Sequence, residues 1–477
     1  MILPEDFIRQ TKRIMGEEMW RKLTLGLAQE PPVSIRMNPR KCGSGGCEPA
    51  DADGMVAWCE DGYYLSTRPN FTFDPLFHAG LYYVQEAASM FIDRVLRQHL
   101  GKEPIMALDL CAAPGGKSTV ARGVLPEGSL LVCNEPIRNR AWILAENIMK
   151  YGDPDVIVTN NYPRDIRRSG MTFDLIIADV PCSGEGMFRK DPAAVDEWSL
   201  QNVEKCWQLQ REIIADAWEC LRPGGLLVYS TCTFNTKEDE ENVRHICETY
   251  GAEVLGVTTD DSMQISGSLL DGYTEPVYRF IPGISRGEGL FIAVMRKGED
   301  SIYNKVKTKD RKERKQRQKD NGKDNTRRTL AWLKRQDDFE LAVNGDTVTA
   351  VPKAWKNVYD TAQKALNVLS AGVMLGEVKG KDIVPSQALA LSTALDSTKF
   401  PSVELDYGQS LAYLRKEAVT LPADTPRGYV LMKYRGVPLG FEKNIGNRAN
   451  NLYPAEWRIK STHTPEGNNE VIKLKQQ

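Results

Sequence analysis

The strongest constraint on the fold is the regular alternation, between residues 79 and 298, of short apolar runs with segments of helical periodicity. The apolar runs have strand length; they are IMALDL, SLLVCN, DVIVTN, FDLIIAD and GGLLVYST. Strands that alternate with helices at this spacing favour right-handed crossovers, which build a parallel sheet with helices on both faces. We therefore predict an α/β, Rossmann-like, doubly wound domain over residues 79–298. FIAVMRK, near Met295, is expected to be its edge strand.

The flanking sequences predict smaller modules. Residues 1–78 combine helical spacing over 2–30 with the strand patterns PPVSIRM, MVAWCE and GYYLST, which indicates a small α+β module. Residues 80–96, GLYYVQEAASMFIDRVL, are predicted to form an amphipathic helix that opens the central domain. Residues 299–328 are a predicted linker, and residues 329–477 contain a β-rich part over about 403–460. Within that last part, residues 411–414 are predicted as a strand.

Charge is distributed unevenly along the chain. The formal net charge is only −2, yet residues 305–328 carry twelve Lys or Arg against four Asp or Glu. This basic block is either a solvated linker or an arm that contacts RNA phosphates, and both interpretations stay open. The β-rich part has cations interleaved with aromatic residues, which suits an RNA-contacting surface or an ordinary charged β surface. These residues are Lys433, Arg435, Lys443, Arg448, Tyr434 and Phe441.

Composition argues for a cytoplasmic protein without metal. The first residues, MILPEDFIRQTK, lack the apolar segment of a signal peptide, and no apolar run reaches membrane-spanning length. The ten cysteines lie mostly in apolar or motif contexts, as expected of reduced thiols. Cys42 and Cys47 resemble the start of a zinc site, but a second such pair is absent and the four histidines are scattered. Nothing in the sequence requires more than a monomer.

A loop after the first strand of the central domain is suited to binding a ligand. The loop is CAAPGGK, and its residues are Cys111, Ala112, Ala113, Pro114, Gly115, Gly116 and Lys117. Small residues let a ligand approach the backbone, and the helix that follows offers free N–H donors. The loop matches neither GxGxxG nor the Walker spacing, which argues against dinucleotides and nucleoside triphosphates. Glu135, at the end of the next strand, occupies the place where such folds bind ribose hydroxyls.

Two cysteines follow buried strands. Cys182 lies in DVPCSGEG and Cys232 in YSTCTFN, each just past an apolar run. A loop after a parallel strand lies at the carboxyl edge of the sheet, where open α/β folds bind their ligands. Two thiols at that edge predict covalent chemistry on a bound substrate.

Together, DLCAAPGGKS, DVPCSGEG, YSTCT and QEAASM resemble the motifs of the Sun family of S-adenosylmethionine-dependent RNA cytosine-C5 methyltransferases. The resemblance covers essentially the whole chain and extends to a C-terminal PUA-like RNA-binding module. It implies that S-adenosylmethionine is the cofactor and RNA the partner. It also implies roles for named residues: Cys232 as nucleophile, Cys182 in product release, Asp179 as the cytosine contact that also lies near the cofactor, and Lys117 in support. Pro181-Cys182 alone would also suit a DNA cytosine methyltransferase, and the second cysteine favours the RNA type.

One position departs from this family pattern. The family has an Asp just beyond the third strand, which contacts adenine, whereas this chain has NNYPRD with Tyr162 near that place. The resemblance therefore leaves two substitutes, of which Asn161 is favoured over Asp165.

The resemblance implies methyl transfer to C5 of a cytosine in RNA, with 16S rRNA as the expected substrate. A tRNA methyltransferase and a non-catalytic RNA-binding assembly factor are the alternatives, although the intact cysteines argue against the second. If the modules are independent, the residues after Arg328 should contribute to RNA binding and not to cofactor affinity.

Overall fold

The computed structural model describes residues 2–43, 46–299, 323–463 and 469–475 of the chain. An antiparallel sheet with the order β3-β4-β1-β5 forms the N-terminal module. Its elements are α1 (Glu5–Leu27), β1 (Val33–Met37), α2 (Pro39–Cys42), β2 (Cys47–Pro49), β3 (Ala52–Met55), β4 (Gly62–Leu65), α3 (Pro75–His78) and β5 (Tyr82–Val84). Because β5 belongs to this sheet, the sheet extends past residue 78. Most of the basic block lies outside the described residues.

The central domain is a doubly wound α/β sheet, as predicted. Its elements are α4 (Ile92–His99), β6 (Met106–Asp109), α5 (Gly116–Val124), β7 (Leu130–Asn134), α6 (Arg138–Tyr151), β8 (Val156–Thr159), α7 (Pro163–Ser169), β9 (Phe173–Asp179), α8 (Pro192–Glu197), α9 (Leu200–Cys220), β10 (Leu221–Thr231), α10 (Glu240–Tyr250), β11 (Glu253–Leu255), β12 (Tyr278–Phe280) and β13 (Leu290–Arg296). Successive residues of β9 point to opposite faces. Leu175 and Ile177 pack with α4, α5 and α6, whereas Ile176 and Ala178 pack with α7, α9 and α10.

The C-terminal region contributes strands to four sheets. Its elements are α11 (Lys323–Arg328), β14 (Phe339–Asn344), β15 (Thr347–Pro352), α12 (Lys356–Ala365), β16 (Val368–Ala371), β17 (Val373–Lys379), β18 (Asp382–Pro385), α13 (Gln387–Leu391), β19 (Ser402–Glu404), α14 (Tyr407–Leu414), β20 (Gly428–Tyr434), β21 (Val437–Asn444), β22 (Ala449–Asn451) and β23 (Ile472–Leu474). One sheet has the order β14-β15-β17-β18 and another the order β19-β20-β21-β22. β16 joins the central sheet instead, whose order is β11-β13-β10-β9-β6-β7-β8-β16.

The central sheet is mixed rather than wholly parallel. The five strands from β10 to β8 are parallel, whereas β13, β11 and β16 run antiparallel to their neighbours. The prediction that FIAVMRK is an edge strand is wrong, because β13 lies between β10 and β11. All seven residues of β13 are apolar except its last, and six are buried, which suits an interior strand.

The N-terminal module and the β-rich C-terminal module share one hydrophobic core. Ile35 and Leu76 pack in the same buried cluster as Leu411 and Val430. The last strand reinforces this contact, because β23 pairs antiparallel with β2. The two modules, which lie at opposite ends of the sequence, therefore stabilise each other.

Two elements predicted within the first hundred residues are wrong. The helix expected over residues 80–96 is a helix only over Ile92–His99, since Tyr82–Val84 pairs with β1. The Glu86 carboxylate accepts the backbone N–H groups of Ala88 and Ser89, at 2.7 and 2.9 Å, and so starts a separate turn. MVAWCE contributes only its first residue to β3. The remaining residues, which include the buried Trp58, lie in turns and irregular backbone.

The strand expected over residues 411–414 is also wrong, because these residues end helix α14. Asp406 and Gln409 form a capping box at its start, in which each side chain accepts the other's backbone N–H. Leu411, Tyr413 and Leu414 are buried in the shared core, and Ala412 packs against it partly buried.

Cys42 and Cys47, which resembled the start of a zinc site in the sequence, form a disulfide instead. Their Cα–Cα distance is 5.4 Å, and the expectation of reduced thiols does not hold for these two. Over the described ranges, no group of three or more His, Cys, Asp or Glu is placed to hold a metal ion. None of the helices in these ranges has both the length and the apolar character needed to cross a bilayer.

The aromatic residues of the β-rich module serve the core. Tyr434 and Phe441 are 7% and 1% exposed, so the interpretation that places their rings on an RNA-contacting surface is wrong for these two. Lys443 forms an ion pair with Asp382 at 2.8 Å, and Arg435 forms one with Glu470 at 2.5 Å.

Glu442, on β21, should make the stability of the protein pH-dependent. It is fully buried, and within the described structure neither carboxylate oxygen has a hydrogen-bond partner. Burial raises the pKa of Glu442 from its ordinary value near 4.5 to about 7. The folded state therefore holds this proton more tightly than the unfolded state, and stability is lost as pH rises from about 4.5 to about 7.

Glu442→Gln removes this titration, so thermal unfolding at pH 5 and pH 8 should show a gain over the wild type that is larger at pH 8 by about 2 kcal/mol. The exposed Glu417→Gln, in the same module, should show no such pH-dependent gain. Equal effects of Glu442→Gln at both pH values would contradict the assignment.

Candidate active site

The two predicted thiols meet at the carboxyl edge of the central sheet. β9 ends at Asp179 and its neighbour β10 ends at Thr231, so the loops that follow these strands lie side by side. The Sγ atoms of Cys182 and Cys232 are 3.2 Å apart, and the backbone N–H of Cys232 points to Cys182 Sγ at 3.3 Å. Both thiols are half-buried. Two cysteines separated by a long stretch of sequence therefore form one site.

An ion pair lies beside the thiols. Lys117 Nζ is 2.9 Å from Asp179 Oδ2, and the Ser230 hydroxyl donates to the other oxygen of Asp179 at 2.7 Å. Burial acts to lower the pKa of Lys117, but the carboxylate of Asp179, its hydrogen bond and the nearby Cys232 outweigh burial and raise it. Lys117 is therefore a fixed positive charge close to Cys232, and Asp179 is oriented by contacts from two directions.

Cys182 is held as a neutral thiol. Its pKa lies well above the ordinary value, because it shares a hydrogen bond with Cys232, is removed from water, and lies near Cys232 and Glu238. A cysteine with a raised pKa is a poor source of thiolate at neutral pH.

Two buried glutamates join the thiol loops. Glu185, from the first loop, accepts the backbone N–H groups of Phe234 and Asn235 in the second, at 2.7 and 3.0 Å. Glu238, which follows the second loop, accepts the backbone N–H of Ser183 in the first at 3.0 Å. Asn235 Nδ2 donates to both carboxylates, at 3.2 and 2.8 Å. The loops are thus tied reciprocally, by one carboxylate from each side.

The charge state of Glu238 responds to its burial. Burial raises the pKa of Glu238 to about 7, although the hydrogen bonds from Ser183 and Asn235 act to lower it.

Gln210, on α9, donates to Glu238 Oε2 at 2.7 Å and to the backbone carbonyl of Pro181 at 2.9 Å. Gln210 therefore anchors the residue immediately before Cys182.

A close backbone contact requires the glycine of DVPCSGEG at position 186. A Cβ atom there would lie 2.6 Å from the carbonyl oxygen of Gly289, so no side chain fits. The N–H of Gly186 also donates to the carbonyl of Cys232 at 2.8 Å, which adds a direct link between the thiol loops.

The CAAPGGK loop follows β6 and leads into α5. Gly115 has φ of +113°, a left-handed conformation that favours glycine. No side chain caps the N-terminus of α5, so its first N–H groups remain available to a ligand. Cys111, Ala112 and Ala113 are buried, and Pro114 is exposed.

Glu135 lies directly behind this loop. Its carboxylate accepts the N–H groups of Ala113 and Ile137, at 3.4 and 3.0 Å, and Arg140 is 3.7 Å from one of its oxygens. Glu135 is 1% exposed in this arrangement. The predicted ribose-binding acid is thus at the end of β7, in contact with the predicted cofactor loop.

Asn161 and Asp165 differ in their contacts beyond β8. Asn161 Oδ1 accepts the backbone N–H of Asn367 at 3.0 Å, which occupies the carbonyl end of its amide. Asp165 is on α7, where one carboxylate oxygen accepts the N–H of Tyr162 at 3.2 Å. Asn161 is also tied to the end of β7, because Asn134 accepts its N–H and donates to its carbonyl.

Several residues of the site were missed by sequence reasoning. Asp109, at the end of β6, is 1% exposed and accepts the Ser118 hydroxyl at 2.6 Å, and burial raises its pKa to about 7. Its place at a strand end was a signal available from the sequence. Gln210 and Glu238 gave no such signal, because their partners are distant in sequence.

This fold and this pair of strand-end loops define a class of protein, the Rossmann-like methyltransferases. The family model for the 16S rRNA methyltransferase RsmB/F matches residues 99–296. Models for the N-terminal domain of 16S rRNA methyltransferase RsmF and for the methyltransferase RsmF PUA domain match residues 3–87 and 400–459.

The protein named ribosomal RNA small subunit methyltransferase F from Aliivibrio fischeri (strain MJ11) is 31% identical in an alignment 481 positions long, which covers 96% of this chain and 98% of the relative. The protein of the same name from Shewanella loihica (strain ATCC BAA-1088 / PV-4) is 28% identical and spans 84% of this chain and 83% of its own length. The chain belongs to the family of ribosomal RNA small subunit methyltransferase F. The resemblance found in the sequence motifs is thereby confirmed at the level of the family.

Solved structures share the fold. "Crystal Structure of PH0851" superposes with a TM-score of 0.55 at 23% identity, over 62% of this chain and 66% of that one. "The crystal structure of NSun6 from Pyrococcus horikoshii with SFG" gives a TM-score of 0.51 at 22% identity, over 62% of this chain and 99% of that one.

Removal of the Gln210 side chain should destabilise the protein. Gln210 is fully buried and also accepts hydrogen bonds from Tyr229 and Asn242, so Gln210→Ala leaves buried polar groups without partners. We expect a loss of about 1–3 kcal/mol in the free energy of unfolding, measured by chemical denaturation. Gln208→Ala, on the exposed side of the same helix, should change it by less than about 0.5 kcal/mol. Equal stability of the two variants would show that the Gln210 contacts contribute nothing.

Proposed function

We propose that this protein transfers a methyl group from S-adenosylmethionine to C5 of a cytosine in 16S rRNA, through a covalent bond between Cys232 and C6 of the base. The observation that carries the proposal is the contact of two thiols, 3.2 Å apart, beside the ion pair of Lys117 and Asp179. Family membership supports the substrate, because the relatives are named as methyltransferases of small-subunit ribosomal RNA.

Cytosine C5 is a weak nucleophile, which explains the need for a thiol. Addition of the Cys232 thiolate to C6 breaks the aromaticity of the ring and makes C5 enamine-like. The ammonium of Lys117 stabilises negative charge on Cys232, with which it interacts electrostatically. Asp179, fixed by Lys117 and Ser230, is the group proposed to hold the base and to favour its protonated adduct.

Product release needs a base. After C5 has been methylated, its remaining proton must leave so that the bond between C6 and Cys232 can break. Cys182 lies against Cys232, so its sulfur is within reach of the adduct. To take the C5 proton it would act as a thiolate, after its own proton has passed to water; the C5 proton then ends on Cys182 as the bond between C6 and Cys232 breaks and Cys232 leaves as a thiolate. We assign this step to Cys182.

The residues present fit S-adenosylmethionine. Gly115 in its left-handed conformation and the uncapped start of α5 form a cradle for a ligand that approaches the backbone. Glu135 at the end of β7 is placed for ribose hydroxyls. Bound there, the cofactor would supply an electrophilic methyl group. The proposed binding residues are Cys111, Ala112, Ala113, Pro114, Gly115, Gly116, Lys117, Glu135, Asn161 and Asp179.

Cys232→Ala should abolish formation of 5-methylcytosine, because alanine has no thiol to add to C6 and the neighbouring Cys182 is assigned to product release. The measurement is bisulfite mapping of rRNA and tRNA from cells that contain the variant or the wild type. Cys206→Ala is the matched control, since this half-buried thiol lies on α9 outside the two strand-end loops. Retained methylation in Cys232→Ala would refute the nucleophile assignment, and methylation confined to tRNA would refute the proposed substrate.

Cys182→Ala should allow the adduct to form but not to resolve. A protein–RNA species that survives denaturing gel electrophoresis should then accumulate in the presence of S-adenosylmethionine. The double variant Cys182→Ala/Cys232→Ala should show no such species. If Cys182→Ala turns over normally without accumulating it, Cys182 has no part in release.

A further inference from the structure

A short strand from the C-terminal region completes the central sheet at the side of the proposed cofactor site. β16 pairs antiparallel with β8, with Val368 opposite Thr159 and Ala371 opposite Ile157. The N–H of Gly372 extends this pairing to the carbonyl of Val156 at 3.1 Å. This strand lies in residues 297–399, outside the three ranges that the family models match.

The residue before β16 holds the loop after β8. The N–H of Asn160 donates to the carbonyl of Asn367 at 2.9 Å, and the N–H of Asn367 donates to Asn161 Oδ1 at 3.0 Å. One exposed residue thus fixes two consecutive residues of the loop, and it does so through its backbone groups.

The held loop in turn holds the end of β7. Asn160 Nδ2 donates to the carbonyls of Glu135 and Pro136, at 2.8 and 3.0 Å. Asn134 exchanges two hydrogen bonds with the backbone of Asn161, at 2.8 and 3.1 Å.

The chain of contacts ends at the CAAPGGK loop. The carbonyl of Asn134 accepts the N–H of Ala112 at 2.8 Å, and Asn134 Nδ2 donates to the carbonyl of Leu110 at 3.0 Å. Hydrogen bonds therefore run without a break from Asn367 to the three loops that follow β8, β7 and β6.

We propose that residues 366–371 position the cofactor-binding loops, and that Asn161 is a positioning residue that acts through Asn367. The inference rests on the proposed function, since it assigns these loops to S-adenosylmethionine. It also revises the modular expectation, because the chain after Arg328 contributes to the cofactor side of the domain as well as to the PUA module.

Asn367→Pro tests the link in the full-length protein. Proline removes the N–H that reaches Asn161 but keeps the carbonyl that accepts from Asn160. The preceding Leu366 has φ of −121° and ψ of 161°, a conformation that proline tolerates at its N-terminal side. Asn367→Ala loses the same side chain but keeps both backbone groups. The difference between the two variants therefore isolates the effect of losing the N–H.

The readout is the affinity for S-adenosylmethionine, measured by isothermal titration calorimetry, beside the affinity for 16S rRNA. Loss of one hydrogen bond that orders a binding loop should weaken cofactor binding by about tenfold relative to Asn367→Ala. RNA affinity should change by less than about twofold, whereas general unfolding would reduce both. Should Asn367→Pro fail to fold, Asn160→Ala removes the two side-chain hydrogen bonds by which the same loop holds the end of β7, and it should give the same split.

Equal cofactor affinity in Asn367→Pro and Asn367→Ala would overturn the proposal, since the hydrogen bond to Asn161 Oδ1 would then be lost without effect. A wild-type protein that does not bind S-adenosylmethionine would instead refute the cofactor assignment of the proposed function.

Discussion

The active site depends on the reciprocal hydrogen bonding of two buried glutamates. Glu185 and Glu238 are each 1% exposed or less, and burying a carboxylate is costly unless strong donors replace water. Here the donors include backbone N–H groups of the opposite thiol loop, beside the side chains of Gln210 and Asn235. Each glutamate has its full set of donors only when the opposite loop is in place, so this exchange helps to hold the two sulfurs close together.

The fold was predictable from the sequence wherever the residues of one element are enough to indicate its structure. β6 to β10 are apolar runs of strand length, and their burial on both faces in a parallel sheet matches that composition. The errors occurred where local side-chain contacts override periodicity. Glu86 ends the pattern that suggested a helix over residues 80–96, and the Asp406–Gln409 capping box starts a helix where a strand was predicted. β13 was misplaced because β11, its outer neighbour, is only three residues long.

The site was predictable only in part, for a different reason. Cys182, Cys232 and Lys117 lie in compact motifs, so short stretches of sequence indicate their chemistry. Gln210 acts on Pro181 from a helix that follows, and Asn367 acts on Asn161 from another region of the chain. Such contacts leave no local pattern, since each requires that the sheet has already formed. For the same reason, the sequence did not indicate that Arg435 and Lys443 form ion pairs with residues distant in the chain.

The position of β16 has a consequence for synthesis of the protein. Its partner β8 leaves the ribosome more than 200 residues earlier, and until β16 arrives β8 presents unpaired N–H and C=O groups along an open edge. Such an edge can pair with another chain, and a contact of this sequence separation forms slowly. A nascent chain that stalls within the basic block would therefore carry an assembled pair of thiols beside an unprotected sheet edge, and aggregation through β8 is the hazard that the late strand removes.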